Sequence, residues 1–207
     1  MRKLLMMSGL LLWLSKGIAQ VPVADFSATP TSGCGPLTVY FPDKSSNSPT
    51  SWTSDFGNGQ QSNAQNPHVT YTTPGVFNVR LIVHNGAGAG AVEKDNYITV
   101  FSYPSPKFTS NYTLACTPAN IQFTDESSPG EGSITSWNWD LGDGSTSTVE
   151  NPSHTYTQTG YYNITLKVAN SNGCSYSASV TRYLRILGGV QPNFAFNQSS
   201  TSCAAPF

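Results

Sequence analysis

From Gly160 onward, Tyr162, Ile164, Leu166 and Val168 alternate with Tyr161, Asn163, Thr165 and Lys167. A period of two marks a strand with one face buried and the other in water. Trp137, Trp139 and Leu141 share one face of an earlier strand that ends in a Gly-rich turn. Ile121 and Phe123 point inward from another. No stretch carries a helical period, and turn-forming residues return about every 8–12 positions. The pattern predicts an all-β chain of the immunoglobulin-like sandwich type.

The pattern occurs twice. Trp52, Asp55, Gly57 and Gly59 return as Trp137, Asp140, Gly142 and Gly144, 85 residues later. Asn66, Pro67, Tyr71 and Gly75 return as Asn151, Pro152, Tyr156 and Gly160 at the same offset. Upstream the offset is 82, and Phe26, Cys34, Phe41 and Asp43 return as Phe108, Cys116, Phe123 and Asp125. The difference falls in Ser- and Pro-rich sequence after Asp43, where a loop belongs. Two units are predicted, over 21–101 and 107–187, with a linker over 102–106. Residues 188–207 read as a second linker and the truncated start of a third unit, with further domains expected beyond it.

Composition narrows the function. Charged residues make up 10% of the 207, against roughly 25% in ordinary domains. A hydrophobic content of 38% with 12% aromatics excludes charge-driven disorder. A net charge of −1 excludes a strongly basic nucleic-acid binder. Arg2 and Lys3 precede an apolar run over 4–14, with Gly17 and Ala19 two apart. This describes a secretory signal peptide over 1–19. The run falls short of the roughly 20 residues that span a bilayer. A secreted or cell-surface protein is expected, with no membrane insertion of the mature chain. Removing the leader leaves 7 basic against 11 acidic residues.

Three ordered motifs carry a family resemblance. Trp139-Asp140-Leu141-Gly142-Asp143-Gly144 is followed by Asn151-Pro152-Ser153-His154-Thr155-Tyr156 and then by Gly160-Tyr161-Tyr162-Asn163-Ile164-Thr165-Leu166. The set resembles the polycystic kidney disease (PKD) domain. Copy one departs from it: Ser54 replaces the second Trp, Asn58 the second Asp, and His68 sits one position early. The resemblance implies tandem seven-stranded sandwiches of about 80 residues each. It also implies non-catalytic modules of bacterial surface and secreted proteins, including polysaccharide- and protein-degrading enzymes and large adhesins. The Cys spacing is similar to that of surface proteins of gliding-type bacteria.

Candidate chemistry is sparse. Asp55, Gly57 and Gly59, and Asp140, Gly142, Asp143 and Gly144, are what tight turns demand, and they read as a structural motif. Asp140 and Asp143 also admit calcium; no other metal or cofactor is expected. Because Asn58 stands where Asp143 does, the copies share no carboxylate pair. His68 and His154 fall one position out of register and His84 is isolated, so no catalytic set repeats. Trp52, Trp137, Trp139, Tyr71 and Tyr156 are assigned to the core. Exposed tyrosines such as Tyr161 are the better candidates for a binding surface.

Export permits disulfides, and two pairings stand open. Cys116–Cys174 would close within unit two. In an immunoglobulin-like sandwich, however, those residues sit at opposite ends, roughly 20–30 Å apart along strands of about 7–9 residues. A disulfide needs Cα atoms within about 7 Å. Cys34–Cys174 would instead bridge the units where the end of one meets the start of the next. The expected function is a spacer and interaction scaffold with a protein or polysaccharide ligand. The alternative is a carbohydrate-binding accessory to a secreted glycosidase or protease.

Overall fold

The computed structural model describes residues 19–189. Apart from Ala19, the expected signal peptide lies outside the described residues, as does the expected third start from residue 190 on. Unit one contains β1 (Ser32–Cys34), β2 (Leu37–Tyr40), β3 (Ser51–Asp55), β4 (Gln61–Ser62), β5 (His68–Tyr71), β6 (Gly75–Asn85) and β7 (Gly88–Phe101). Unit two contains β8 (Phe108–Ser110), β9 (Leu114–Cys116), β10 (Ala119–Asp125), β11 (Ile134–Asp140), β12 (Thr146–Ser147), β13 (Ser153–Tyr156), β14 (Gly160–Asn170) and β15 (Ser175–Leu187).

In unit one the sheet β1-β7-β6-β3-β4 packs over the pair β2-β5; in unit two β12-β11-β14-β15-β9 packs over β13-β10-β8. Unit two thus has eight strands and unit one seven. The counterpart of β8 in unit one forms only isolated bridges, Val23↔Ser46, Phe26↔Asp43 and Thr29↔Tyr40. The pairing is the same, since Phe26↔Asp43 occupies the place of Phe108↔Asp125.

The predicted alternation holds along β14, where Tyr162, Ile164, Leu166 and Val168 are buried and Tyr161, Asn163 and Lys167 exposed. Alternation does not reveal the break in register between Tyr162 and Ile164, where β15 carries extra residues. Unit one has the same break between Phe77 and Val79. Such bulges bend and twist a strand pair locally.

Each unit has its own core, and the two fill the same space differently. Trp139 is fully buried in unit two, with its ring 5.4 Å from Phe108 and 5.6 Å from Phe123. Its indole N–H donates to the Val149 carbonyl at 3.0 Å. The counterpart is Ser54, and there Phe41 and Phe56 have ring centroids 5.0 Å apart. They leave a cavity of about 10 Å³ lined by Phe26, Phe41, Ser54 and Phe56, on the order of one water. Trp139→Ala should therefore destabilise unit two by about 3–5 kcal/mol, read by calorimetry as a lowered unit-two transition with unit one unmoved.

Candidate functional site

The repeated Gly-rich turn is built by local acceptors. Asp55 Oδ1 accepts the Gly57 N–H at 2.9 Å and Asn58 Oδ1 the Gln60 N–H at 3.0 Å. In unit two Asp140 Oδ1 accepts from Gly142 and Asp143 Oδ1 from Ser145, both at 2.9 Å. Side chains that bond backbone two residues on hold turns in this way. Gly57 (φ 73°) and Gly142 (φ 82°) take left-handed conformations. A Cβ on either would lie 2.5 or 2.4 Å from the carbonyl oxygen of Asn78 or Asn163. Beneath the turn, the hydroxyl of Tyr71 donates to the Phe56 carbonyl at 3.1 Å, and that of Tyr156 to Leu141 at 2.8 Å. Burial raises both phenols well above their ordinary pKa.

The copies differ at the second turn acceptor. Asp143 Oδ2 meets His154 Nε2 at 2.7 Å, whereas His68 stacks on Tyr40 with ring centroids 4.5 Å apart. Burial opposes the charge of Asp143, but hydrogen bonds from His154 and Ser145 outweigh it and hold the carboxyl below its ordinary range. Among the described residues, no group of three or more His, Cys, Asp or Glu is arranged to hold a metal ion. Asp140 and Asp143 serve the turn, each through a backbone N–H.

Two residues carry a role that the sequence reading missed. Asp43 Oδ2 accepts the Trp52 indole N–H at 2.9 Å, and Asp125 Oδ2 that of Trp137 at 2.7 Å. The Asp43 and Asp125 N–H groups donate to Asn66 Oδ1 and Asn151 Oδ1 at 2.9 and 2.8 Å. Trp52 and Trp137 are consequently half-buried, packed against the rim of each core rather than within it. This corrects their assignment as core residues. A buried indole N–H needs a polar partner; for Trp52 and Trp137 it is a carboxylate at the rim, whereas the fully buried Trp139 uses a backbone carbonyl. The signal was present, because Asp43, Trp52 and Asn66 all repeat. Periodicity alone does not say that they meet.

The junction holds the third feature. Cys34 and Cys174 form a disulfide with Cα atoms 5.7 Å apart, across 140 residues of sequence. This replaces the alternative Cys116–Cys174 pairing. Cys116 lies beside Leu187 in the parallel pair β9–β15, at the exit end of unit two. Cys174 lies in the turn between β14 and β15, at the entry end. Cys116 is itself disulfide-bonded, but to neither Cys34 nor Cys174. Cys34 pairs alongside Phe101, the last residue of β7. Asn170 Nδ2 donates to Ser102 O at 3.3 Å and Pro129 O at 3.0 Å, and its Oδ1 accepts the Cys174 N–H at 3.0 Å.

Two outcomes follow for the turns. Gly57→Ala and Gly142→Ala should each cost at least about 2 kcal/mol, since a strained φ adds to a backbone clash. Gly59→Ala and Gly144→Ala, at positive φ but in open space, should cost about 1–2 kcal/mol; urea denaturation separates the pairs. Asp143→Asn should lower the melting temperature of unit two above about pH 5. A folded-state pKa below the ordinary value gives stability that is present at higher pH and lost as pH falls through that value. The gap to the parent protein should therefore close with acidification in a melting series, and widening would refute the assignment.

The PKD domain model matches residues 19–100 and 103–186. A microbial collagenase of Vibrio alginolyticus is 42% identical over 71 residues, 34% of this chain and 9% of that protein. Collagenase ColA of Bacillus cereus is 32% identical over 98 residues, 47% of this chain and 9% of that protein. Pre-pro-metalloprotease PrtV of Vibrio cholerae is 35% identical over 66 residues, 32% of this chain and 7% of that protein. The chain thus spans less than a tenth of the length of these curated relatives. Among solved structures, the PKD1 domain of PrtV aligns at 30% identity with a TM-score of 0.36, over 41% of this chain and 96% of that domain. With both sandwiches matched along nearly their whole length, the chain belongs to the PKD domain family.

Proposed function

We propose that the two units act as a non-catalytic extracellular spacer and interaction scaffold within a larger secreted or cell-surface protein. The observation that carries this reading is the Cys34–Cys174 bond, which ties the exit of one unit to the entry of the next. A covalent clamp between domains has no role in either core; it restricts how the domains move against each other. Disulfides also persist in oxidising compartments, which agrees with the signal-like N-terminus. A second reading, an accessory module that brings a degradative enzyme to its substrate, is favoured by relatives named as collagenases and a metalloprotease. Calcium binding at Asp140 and Asp143 is not required by either reading.

The test is the double variant Cys34→Ser with Cys174→Ser. Small-angle scattering should show a broader distribution of inter-unit distances, while calorimetry shows both units still folded. An unchanged distribution would sink the spacer reading.

A further inference from the structure

Unit two carries a feature on its outer face that unit one lacks. Tyr161 of β14 lies directly opposite Arg185 of β15, and the bulge just beyond brings Arg182 to the same ring. The guanidinium carbons lie 4.0 Å (Arg182) and 5.4 Å (Arg185) from the Tyr161 ring centroid. All three residues are exposed. Lys167 projects from the same face of β14, six residues on, or about 20 Å. Among the described residues, none of these three cations is paired with a carboxylate.

Unit one provides an internal control. Its register puts Val76 opposite Thr99 where unit two has Tyr161 opposite Arg185. Ile82 takes the place of Lys167, and Asn96 that of Arg182. Asn96 and Arg182 both adopt positive φ, 51° and 55°. Their N–H groups donate to Asn78 Oδ1 at 2.8 Å and Asn163 Oδ1 at 2.7 Å. Asn tolerates that conformation, whereas Arg is strained in it. A strained, exposed Arg that packs into no core points to a use on the surface.

The acids recede as the cations appear. In unit one Arg80 faces Glu93; in unit two Thr165 faces Ser179, hydroxyl to hydroxyl at 2.8 Å. The carboxylate that shares the face is Asp140, opposite Thr165 on β11, and its Oδ1 is engaged by the Gly142 N–H. The result is a line of cations among hydroxyls on a sheet face. An extended peptide would seek a sheet edge, where backbone bonds are open. A chain bearing regularly spaced carboxylates needs no such edge. Two guanidinium groups held on one ring are preorganised to grip carboxylates in forked pairs.

We propose that this face of unit two binds an acidic polysaccharide through its carboxylates. Arg182 and Arg185 form the forked grip, Tyr161 holds them in place, and Lys167 adds a further charge along the strand. The proposal rests on the interaction-scaffold reading but fails separately from it: scattering tests the spacer, binding tests this face.

The experiment uses the full chain in affinity electrophoresis through gels containing polygalacturonate. Neutral dextran, poly-glutamate and duplex DNA serve as comparators. Polygalacturonate should retard the chain and dextran should not, with retardation falling as salt rises. The variant Arg182→Asn with Arg185→Thr restores the unit-one residues, so it should fold with an unchanged or raised melting temperature. It should bind about tenfold more weakly or worse, whereas Arg80→Asn in unit one should bind as the parent does. Absence of retardation, undiminished binding by the double variant, or tighter binding to poly-glutamate or DNA would each overturn the proposal.

Discussion

Each unit turns on one asparagine that serves two partners at once. The backbone oxygen of Asn78 or Asn163 lies too close to where a Cβ on the turn glycine would stand, so Gly57 or Gly142 must be bare for the turn to close over the strand. Its side-chain oxygen captures the N–H of Asn96 or Arg182 and fixes the bulge in the last strand. The turn, the central strand and the bulge are therefore positioned together. With the turn in place, its carbonyl meets the buried Tyr71 or Tyr156 hydroxyl, which closes the sandwich from the other sheet. A buried hydroxyl without a partner is costly, so the arrangement is cooperative.

Around this shared frame the copies have diverged in volume and charge. Unit two spends its interior on Trp139; unit one has Ser54 there, with Phe56 in place of Leu141 and its ring 5.0 Å from that of Phe41. Close packing explains why such a change spreads over several residues: a large ring cannot be removed without neighbours moving or a void remaining. At the turn, the His154–Asp143 contact in unit two has no counterpart where Asn58 stands, and His68 stacks on Tyr40. The divergence spares the frame and falls on positions that the frame does not constrain.

What could be read in the sequence follows the same division. Alternation along β14, the Gly turn and the buried tyrosines were legible because each leaves a local signature, a period or a residue type that tolerates an unusual backbone. The rim position of Trp52 and Trp137 was not, because it depends on Asp43 and Asp125 arriving from another strand. The bulges were hidden for a different reason. Asn78 and Asn163 occupy outward positions in a clean alternation, and the extra residues lie on the partner strand. Arg182 gains its meaning only from that bulge and from Tyr161 across the ladder.

The junction shows how few contacts can define an orientation. The chain crosses from unit one to unit two after Phe101, and the disulfide crosses beside it, since Cys34 is the ladder partner of Phe101. Neighbouring strands lie about 4.8 Å apart, so the two crossings form a narrow ribbon. A ribbon resists twisting and in-plane bending but still folds about its flat side. That remaining freedom is opposed from unit two. Asn170 binds Ser102 O, and Gly130 sits so close to the linker that a Cβ on it would lie 2.7 Å from Tyr103 O. Tyr103 meets Tyr176 with ring centroids 6.0 Å apart. Unit one has the same asparagine in Asn85, bound to Gln20 O and Asn47 O at 2.7 and 2.8 Å. Each unit thus grips the segment that enters it, and the disulfide adds a second strap at the junction of the two. A surface on unit two, such as the face around Tyr161, is thereby presented at a set angle to unit one rather than on a free tether.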